Sequence, residues 1–276
     1  LHGFYRSTFT DDDGVEHTIA TTQFESTHAR RAFPCWDEPS HKAVYELTLV
    51  VPSDLVALSN TPVIEETAVG ASLKSVRFAD TPVMSSYLLA FVVGDLTSIE
   101  SQYSGPAGNT KIAVWTTRGK EEQGRFALDT SVRLLEYYND YFGTPYPLAK
   151  LDHLALPDFA AGAMENWGAI TYREVVLLVD PEQSSADIRQ RVAGVISHEM
   201  AHMWFGDLVT MAWWNDLWLN ESFASWIGDK AIDHLFPEWE MWTQFVSADT
   251  NRALSLDGLK NSHPIEQEVR DPAEIG

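Results

Sequence analysis

The residues in this 276-residue chain whose types and spacing can do chemistry lie between Val195 and Ala224, VISHEMAHMWFGDLVTMAWWNDLWLNESFA. His198 and His202 are four positions apart. On a helix that spacing places side chains about 40° apart around the axis and about 6 Å along it. Both imidazoles then reach one metal ion from one helical face. A catalytic zinc site takes three protein ligands and keeps a fourth position open. Glu221, with eighteen residues between it and His202, is the candidate for the third. The spacing predicts a first helix ending near Gly206, a loop, and a second helix that returns Glu221 to the metal. Glu199, directly after the first ligand, is placed to accept a proton from water as general base and to pass one to a leaving amine. The rival reading is an amphipathic helix with two incidental histidines. Val195, Ile196, Met203, Trp204 and Phe205 argue against it, because three ionisable groups among such bulk are costly to bury without a shared partner.

HEMAH, WFGDLVTM and WWNDLWLNESFASW, together with Gly162-Ala163-Met164-Glu165-Asn166 upstream, resemble the gluzincin zinc aminopeptidases, the family of aminopeptidase N and the puromycin-sensitive aminopeptidase. The resemblance runs over essentially the whole chain. It implies an α+β fold, in which a β-sheet-rich N-terminal domain precedes a thermolysin-like zinc metallopeptidase domain. It implies one zinc ion, held by His198, His202 and Glu221, and removal of N-terminal residues from peptides. Gln23 and Glu25 are expected to reach the active-site mouth from the first domain and line the pocket for the substrate's amino end. Met164 and Gln23 are expected to border the first specificity pocket.

The elements that must position these groups are legible in outline. Leu1 to Val93 reads as β structure, with Ala43–Val51 and Ser85–Val93 as strands rich in β-branched and aromatic residues. Ser101–Asn109 is polar and turn-forming and divides the chain into residues 1–104, the β-rich domain, and 105–276, the catalytic domain. Lys111–Thr116, Leu151–Leu156 and Ala169–Tyr172 read as strands. Arg125–Phe142 reads as a helix with Leu128, Val132, Leu135 and Tyr138 on one face. Ser184 is the expected cap of the helix that carries HEMAH, with Asp187 three residues later. Further helices are expected over Asn220–His234 and Glu238–Ala253. GAMEN suits an edge strand or loop. Gly162 allows close backbone approach, an extended peptide can pair with the Gly162 and Ala163 backbone as an added strand, and Glu165 can hold its α-ammonium.

Forty acidic against nineteen basic residues give a net charge of −21, which repels nucleic acid and favours cationic ligands such as a peptide's free amino terminus. Cys35 is the single cysteine and is expected to be a small buried residue rather than a nucleophile. Arg30, Arg31, Asp37 and Glu38 are expected in structural ion pairs. No run of 18 apolar residues or signal peptide is visible, and the expected location is cytoplasmic.

Three positions depart from the family pattern: Met203 stands where glutamine is usual, Asp207 where asparagine is usual, and Ser222 where glycine is usual. Asp207 is expected to add a negative charge near the site. The family's oxyanion-stabilising tyrosine lies downstream of the stretch resembling His263-Pro264-Ile265-Glu266. The chain therefore reads as a fragment, with Trp204, Phe205, Trp213, Trp214 and Trp218 expected to be left partly uncovered. The rival functions are a zinc endopeptidase, the leukotriene-hydrolase branch (whose counterpart motif begins Gly-Gly), and a catalytically silent peptide-binding fragment.

Overall fold

The structure, a computed structural model, describes residues 1–11 and 13–275. Strands β1 (Gly3–Thr10) and β2 (Glu16–Gln23) pair antiparallel from Gly3 opposite Gln23 to Thr10 opposite Glu16. There follow β3 (Lys42–Ala43), β4 (Thr48–Pro52), β5 (Val56–Ser59), β6 (Val63–Val69), β7 (Leu73–Phe78), β8 (Met84–Ser85) and β9 (Phe91–Gly94). They make a four-stranded sheet ordered β1-β2-β9-β5, a three-stranded sheet β4-β7-β6, and the short pair β3-β8. This half is sheet-rich, as the β-branched runs imply.

The second half opens on a hairpin of β10 (Thr97–Gly105) and β11 (Gly108–Thr116), then α1 (Arg125–Phe142), β12 (Lys150–Leu156), β13 (Ala163–Met164) and β14 (Ala169–Arg173). These strands form one sheet ordered β10-β11-β12-β14-β13. β11, β12 and β14 run parallel, and β13 is an antiparallel edge strand of two residues. Helices α2 (Ala186–His202) and α3 (Leu217–Leu235) pack on each other and on α1. The apolar face of α1, with Leu128, Leu134, Leu135 and Tyr138, is fully buried, and Gly143 closes it in the left-handed conformation at φ 61°. The whole is an α+β chain. Among the described residues no helix is long and apolar enough to cross a membrane.

Several expectations shift. The division between residues 104 and 105 falls inside the β10–β11 hairpin, whose strands pair from Thr97 opposite Thr116 to Gly105 opposite Gly108. The change of sheet comes earlier, between Gly94 and Thr97. The polar SQYSGPAGN stretch looks like a linker because a solvent-exposed hairpin tip has the same composition. Ser85–Val93 is not one strand: Ser86–Leu88 turns as a 3₁₀ segment before β9. Ala43–Val51 is not one strand: Ala43 ends β3, and the chain becomes regular again only at Thr48. Ser185, not Ser184, caps α2 by accepting from the Ile188 N–H at 3.4 Å, and Ser184 instead accepts from the Asp180 N–H. Helix α2 ends at His202, four residues before Gly206. The last expected helix is broken into α4 (Met241–Phe245), a π turn over Val246–Thr250 and α5 (Asn251–Asp257).

The aromatic residues expected to be uncovered are mostly covered by the chain itself. Trp204 and Trp214 are buried, and Phe205, Trp213 and Trp218 are half-buried. Trp204 stacks on Phe142 and donates its indole N–H to the Thr144 carbonyl. Exposed apolar side chains occur further on, at Val246, Leu254, Leu256, Leu259 and Ile265.

Candidate active site

Helix α2 buries Val192, Ile196 and Met200 in the core, which aims His198, Glu199 and His202 toward α3 and the β13 edge. Glu221 sits in the second turn of α3. His198 Nε2 lies 3.2 Å from Glu221 Oε2, His202 Nε2 3.6 Å from Oε1, and the two Nε2 atoms are 3.0 Å apart. One donor atom from each of His198, His202 and Glu221 fits within 4.8 Å of the others, which is the spread of a group that can hold one metal ion.

The ring orientation of His202 is set by the backbone. Its Nδ1–H donates to the Phe205 carbonyl at 2.8 Å, which leaves the Nε2 lone pair for a ligand. Gly206 makes this turn possible: at φ 138°, a Cβ there would lie 3.2 Å from His202 Nδ1. His198 has Ser225 Oγ 3.3 Å from its Nδ1. Ser225 lies one helical turn beyond Glu221, so helical spacing alone was enough to suggest it. The Phe205 carbonyl carries no sequence signal.

The site is crowded with acids. Oxygens of Glu25, Glu165 and Glu221 also fall within 4.8 Å of one another. Burial, followed by repulsion from Glu165 and Glu221, pushes the Glu25 carboxyl well above its ordinary range. Burial raises Glu165 against the pull of His202, and raises Glu199 likewise. Burial acts on Glu221 too, but its hydrogen bonds to His198 and His202 and their charge outweigh it and hold it low. Gln23 Oε1, Glu165 Oε1 and Glu199 Oε2 are buried without a partner among the described residues. All three are acceptors, so a cation or N–H donor is what would satisfy them.

Gly162 and Ala163 lie at the sheet's open edge, and nothing stands within 4 Å of where a Gly162 Cβ would be. Met164 faces the other way and is buried in the main core. Gln23, at the end of β2, and Glu25 just beyond it arrive from the N-terminal sheet. A cavity of about 760 Å³ runs along Gly162, Ala163, His198, Glu199, Trp226 and Asp229. Trp226, the last residue of the WWNDLWLNESFASW motif, was given no role in sequence, and Asp229 went unnoticed because it looks like an ordinary solvent-facing position of α3.

The departures resolve differently. Met203 is buried core and Ser222 is exposed. Asp207 is fully buried, and neither carboxylate oxygen has a partner among the described residues. Burial, then repulsion from Glu165, pushes its carboxyl well above the ordinary carboxylate range. Asp37 pairs with Arg30 at 3.3 Å, as an ion pair of the N-terminal domain, and Cys35 is half-buried and free.

A family model described as the Peptidase family M1 domain matches residues 126–276, and one described as the Peptidase M1 N-terminal domain matches residues 1–88. The chain is 53% identical over 275 residues to Aminopeptidase M1 of Arabidopsis thaliana. It is 49% identical over 276 residues to the puromycin-sensitive aminopeptidase of Caenorhabditis elegans and to the alanine/arginine aminopeptidase of Saccharomyces cerevisiae. Each alignment covers 100% of this chain but 31%, 29% and 32% of these relatives, so the chain spans about a third of their length.

Proposed function

This chain belongs to peptidase family M1, and from that premise we propose that it carries the metal centre and amino-end pocket of a zinc aminopeptidase. The carrying observation is that Glu221 belongs to two groups at once. Its carboxylate lies within 4.8 Å of the two histidines and within 4.8 Å of Glu25 and Glu165. In a peptide only Cα separates the α-nitrogen from the first carbonyl carbon, a distance of about 2.5 Å. An ammonium pocket that adjoins the metal ligands therefore presents the first peptide bond, and no later one, for cleavage. An endopeptidase has no use for such a pocket.

The donor set would suit zinc: two imidazoles and one carboxylate, with the His202 tautomer set by the Phe205 carbonyl. Zinc bound there supplies Lewis acidity, polarising the scissile carbonyl and acidifying water. Glu165 and Glu25 hold the substrate's α-ammonium by charge-assisted hydrogen bonds, with Gln23 Oε1 as a further acceptor. The Gly162 and Ala163 backbone orients the peptide as a strand added at the β13 edge. Glu199, beside His198 and lining the same cavity, takes the proton from the attacking water and delivers it to the leaving nitrogen.

Peptides with a free amino terminus are the proposed substrates, and a cytoplasmic location is part of the same proposal. The test is metal analysis of the full-length protein with matched hydrolysis of free-amine and N-acetylated peptides. One zinc per chain with cleavage of the free-amine series alone is expected. Cleavage of both series at equal rates would return the assignment to an endopeptidase.

A further inference from the structure

The edge strand that meets the peptide pairs through only two residues, Ala163 with Tyr172 and Met164 with Thr171. The loop leading into it is exposed at Asp158, Ala160, Ala161 and Gly162, and only Phe159 is buried. So short a strand does not hold its own position. The structure shows what does.

On one side the loop is tied to β1 of the N-terminal sheet. The Asp158 carboxylate Oδ2 accepts from the Ser7 hydroxyl at 3.1 Å and from the Thr8 N–H at 3.2 Å. The Asp158 N–H donates to Ser7 Oγ at 3.1 Å, and the Tyr5 hydroxyl donates to the Asp158 carbonyl at 2.9 Å. On the other side, Arg173 at the end of β14 donates Nε to the Phe159 carbonyl at 3.1 Å and Nη2 to the Ala160 carbonyl at 2.6 Å. Its backbone N–H donates to the Gly162 carbonyl at 2.9 Å.

The consequence lies in where β1 leads. β1 is hydrogen-bonded along its length to β2, and β2 ends at Gln23, two residues before Glu25. The ammonium pocket is thus split between two sheets: Glu25 hangs from the β1–β2 hairpin and Glu165 from the loop and edge strand. Asp158 fastens that loop to that hairpin. We propose that Asp158 and Arg173 are positioning residues that hold Glu165 in register with Glu25, so that both carboxylates reach one substrate ammonium. The inference rests on the amino-end reading of that pocket. Neither residue touches the metal ligands, and both act only through the backbone of residues 158–162.

Small misplacements of positioning groups are expensive in binding and rate. In full-length protein, Asp158→Ala and Arg173→Met should each raise KM for an aminoacyl p-nitroanilide about tenfold, with kcat changed less than KM and with zinc content and Tm unchanged. Asp158→Asn keeps an acceptor for Ser7 and Thr8 and should restore most of the wild-type KM. Amide hydrogen exchange over residues 159–165 reads the clamp without turnover and should quicken in Asp158→Ala. Unchanged exchange and unchanged KM in Asp158→Ala would overturn the clamp. So would loss of kcat together with zinc or Tm, which would mark a general structural role. If the wild type shows no free-amine preference while exchange still responds, the clamp stands and the pocket's assignment falls.

Discussion

The Nε2 atoms of His198 and His202 face each other at 3.0 Å, and the Nδ1–H of His202 is already committed to the Phe205 carbonyl. With Nδ1 protonated, His202 presents a lone pair to its neighbour. A proton held by one ring or a metal ion shared by both would satisfy this facing pair, and Glu221 supplies the counter-charge for either. In the Glu221→Ala protein zinc affinity should fall by more than the ~10–100-fold that follows loss of an outer-sphere partner. Ser225→Ala, which removes only the neighbour of His198 Nδ1, should fall within that range. Equal affinities for wild type and Glu221→Ala in a chelator competition titration would remove Glu221 from the ligand set.

Glu199 follows His198 in the chain and stands outside the proposed ligand set of His198, His202 and Glu221. Glu199→Gln should retain full zinc stoichiometry and lower kcat at least 10²–10⁴-fold, roughly the scale of general acid–base catalysis. Retained turnover with zinc in place would exclude Glu199 as the proton carrier.

Glu165→Gln leaves an acceptor in the pocket but removes the charge. A charge-assisted hydrogen bond contributes about 1.5–3 kcal/mol, so KM for free-amine substrates should rise roughly 10–100-fold. N-acetylated peptides should be as poor for the mutant as for the wild type. Steady-state kinetics on the two series decide it, and an unchanged KM would move the amino-end anchor elsewhere.

His153 on β12 supplies a pH dependence outside the candidate metal-binding group. It is fully buried, its Nδ1 is 3.0 Å from the Tyr172 hydroxyl, and burial, with Lys150 adding to it, lowers its pKa to about 3 from 6.5. Between those values the unfolded chain binds a proton that the folded chain does not. Stability from this residue is therefore fully present above pH 6.5 and lost as pH falls toward 3, by up to about 1.4 kcal/mol per pH unit. Urea titrations at several pH values should show a steeper acid loss for wild type than for His153→Leu. Parallel curves would mean that His153 is charged in the fold.

What could be read in the chain was whatever repeats at short range. The four-residue spacing of His198 and His202, the apolar stripe of α1 and the β-branched runs of the first half each follow from local periodicity, and each is found in the structure. Glu221 was reachable for the same reason, since one loop and two helices suffice to return it. Residues whose local patterns have two solutions were not readable. The polar stretch at 101–109 is a hairpin tip inside one sheet rather than a linker, because exposed hairpins and linkers share a composition. Glu238–Ala253 is broken by a π turn that periodicity does not reveal. The complete burial of Asp207 has no short-range signal either. Only the tertiary structure brings Glu25 within 4.8 Å of Glu165 and Glu221, and only it ties Asp158 to Ser7 and Thr8, 150 positions or more away. Contacts at that separation depend on how two sheets dock, and no short-range rule of spacing or propensity encodes that docking.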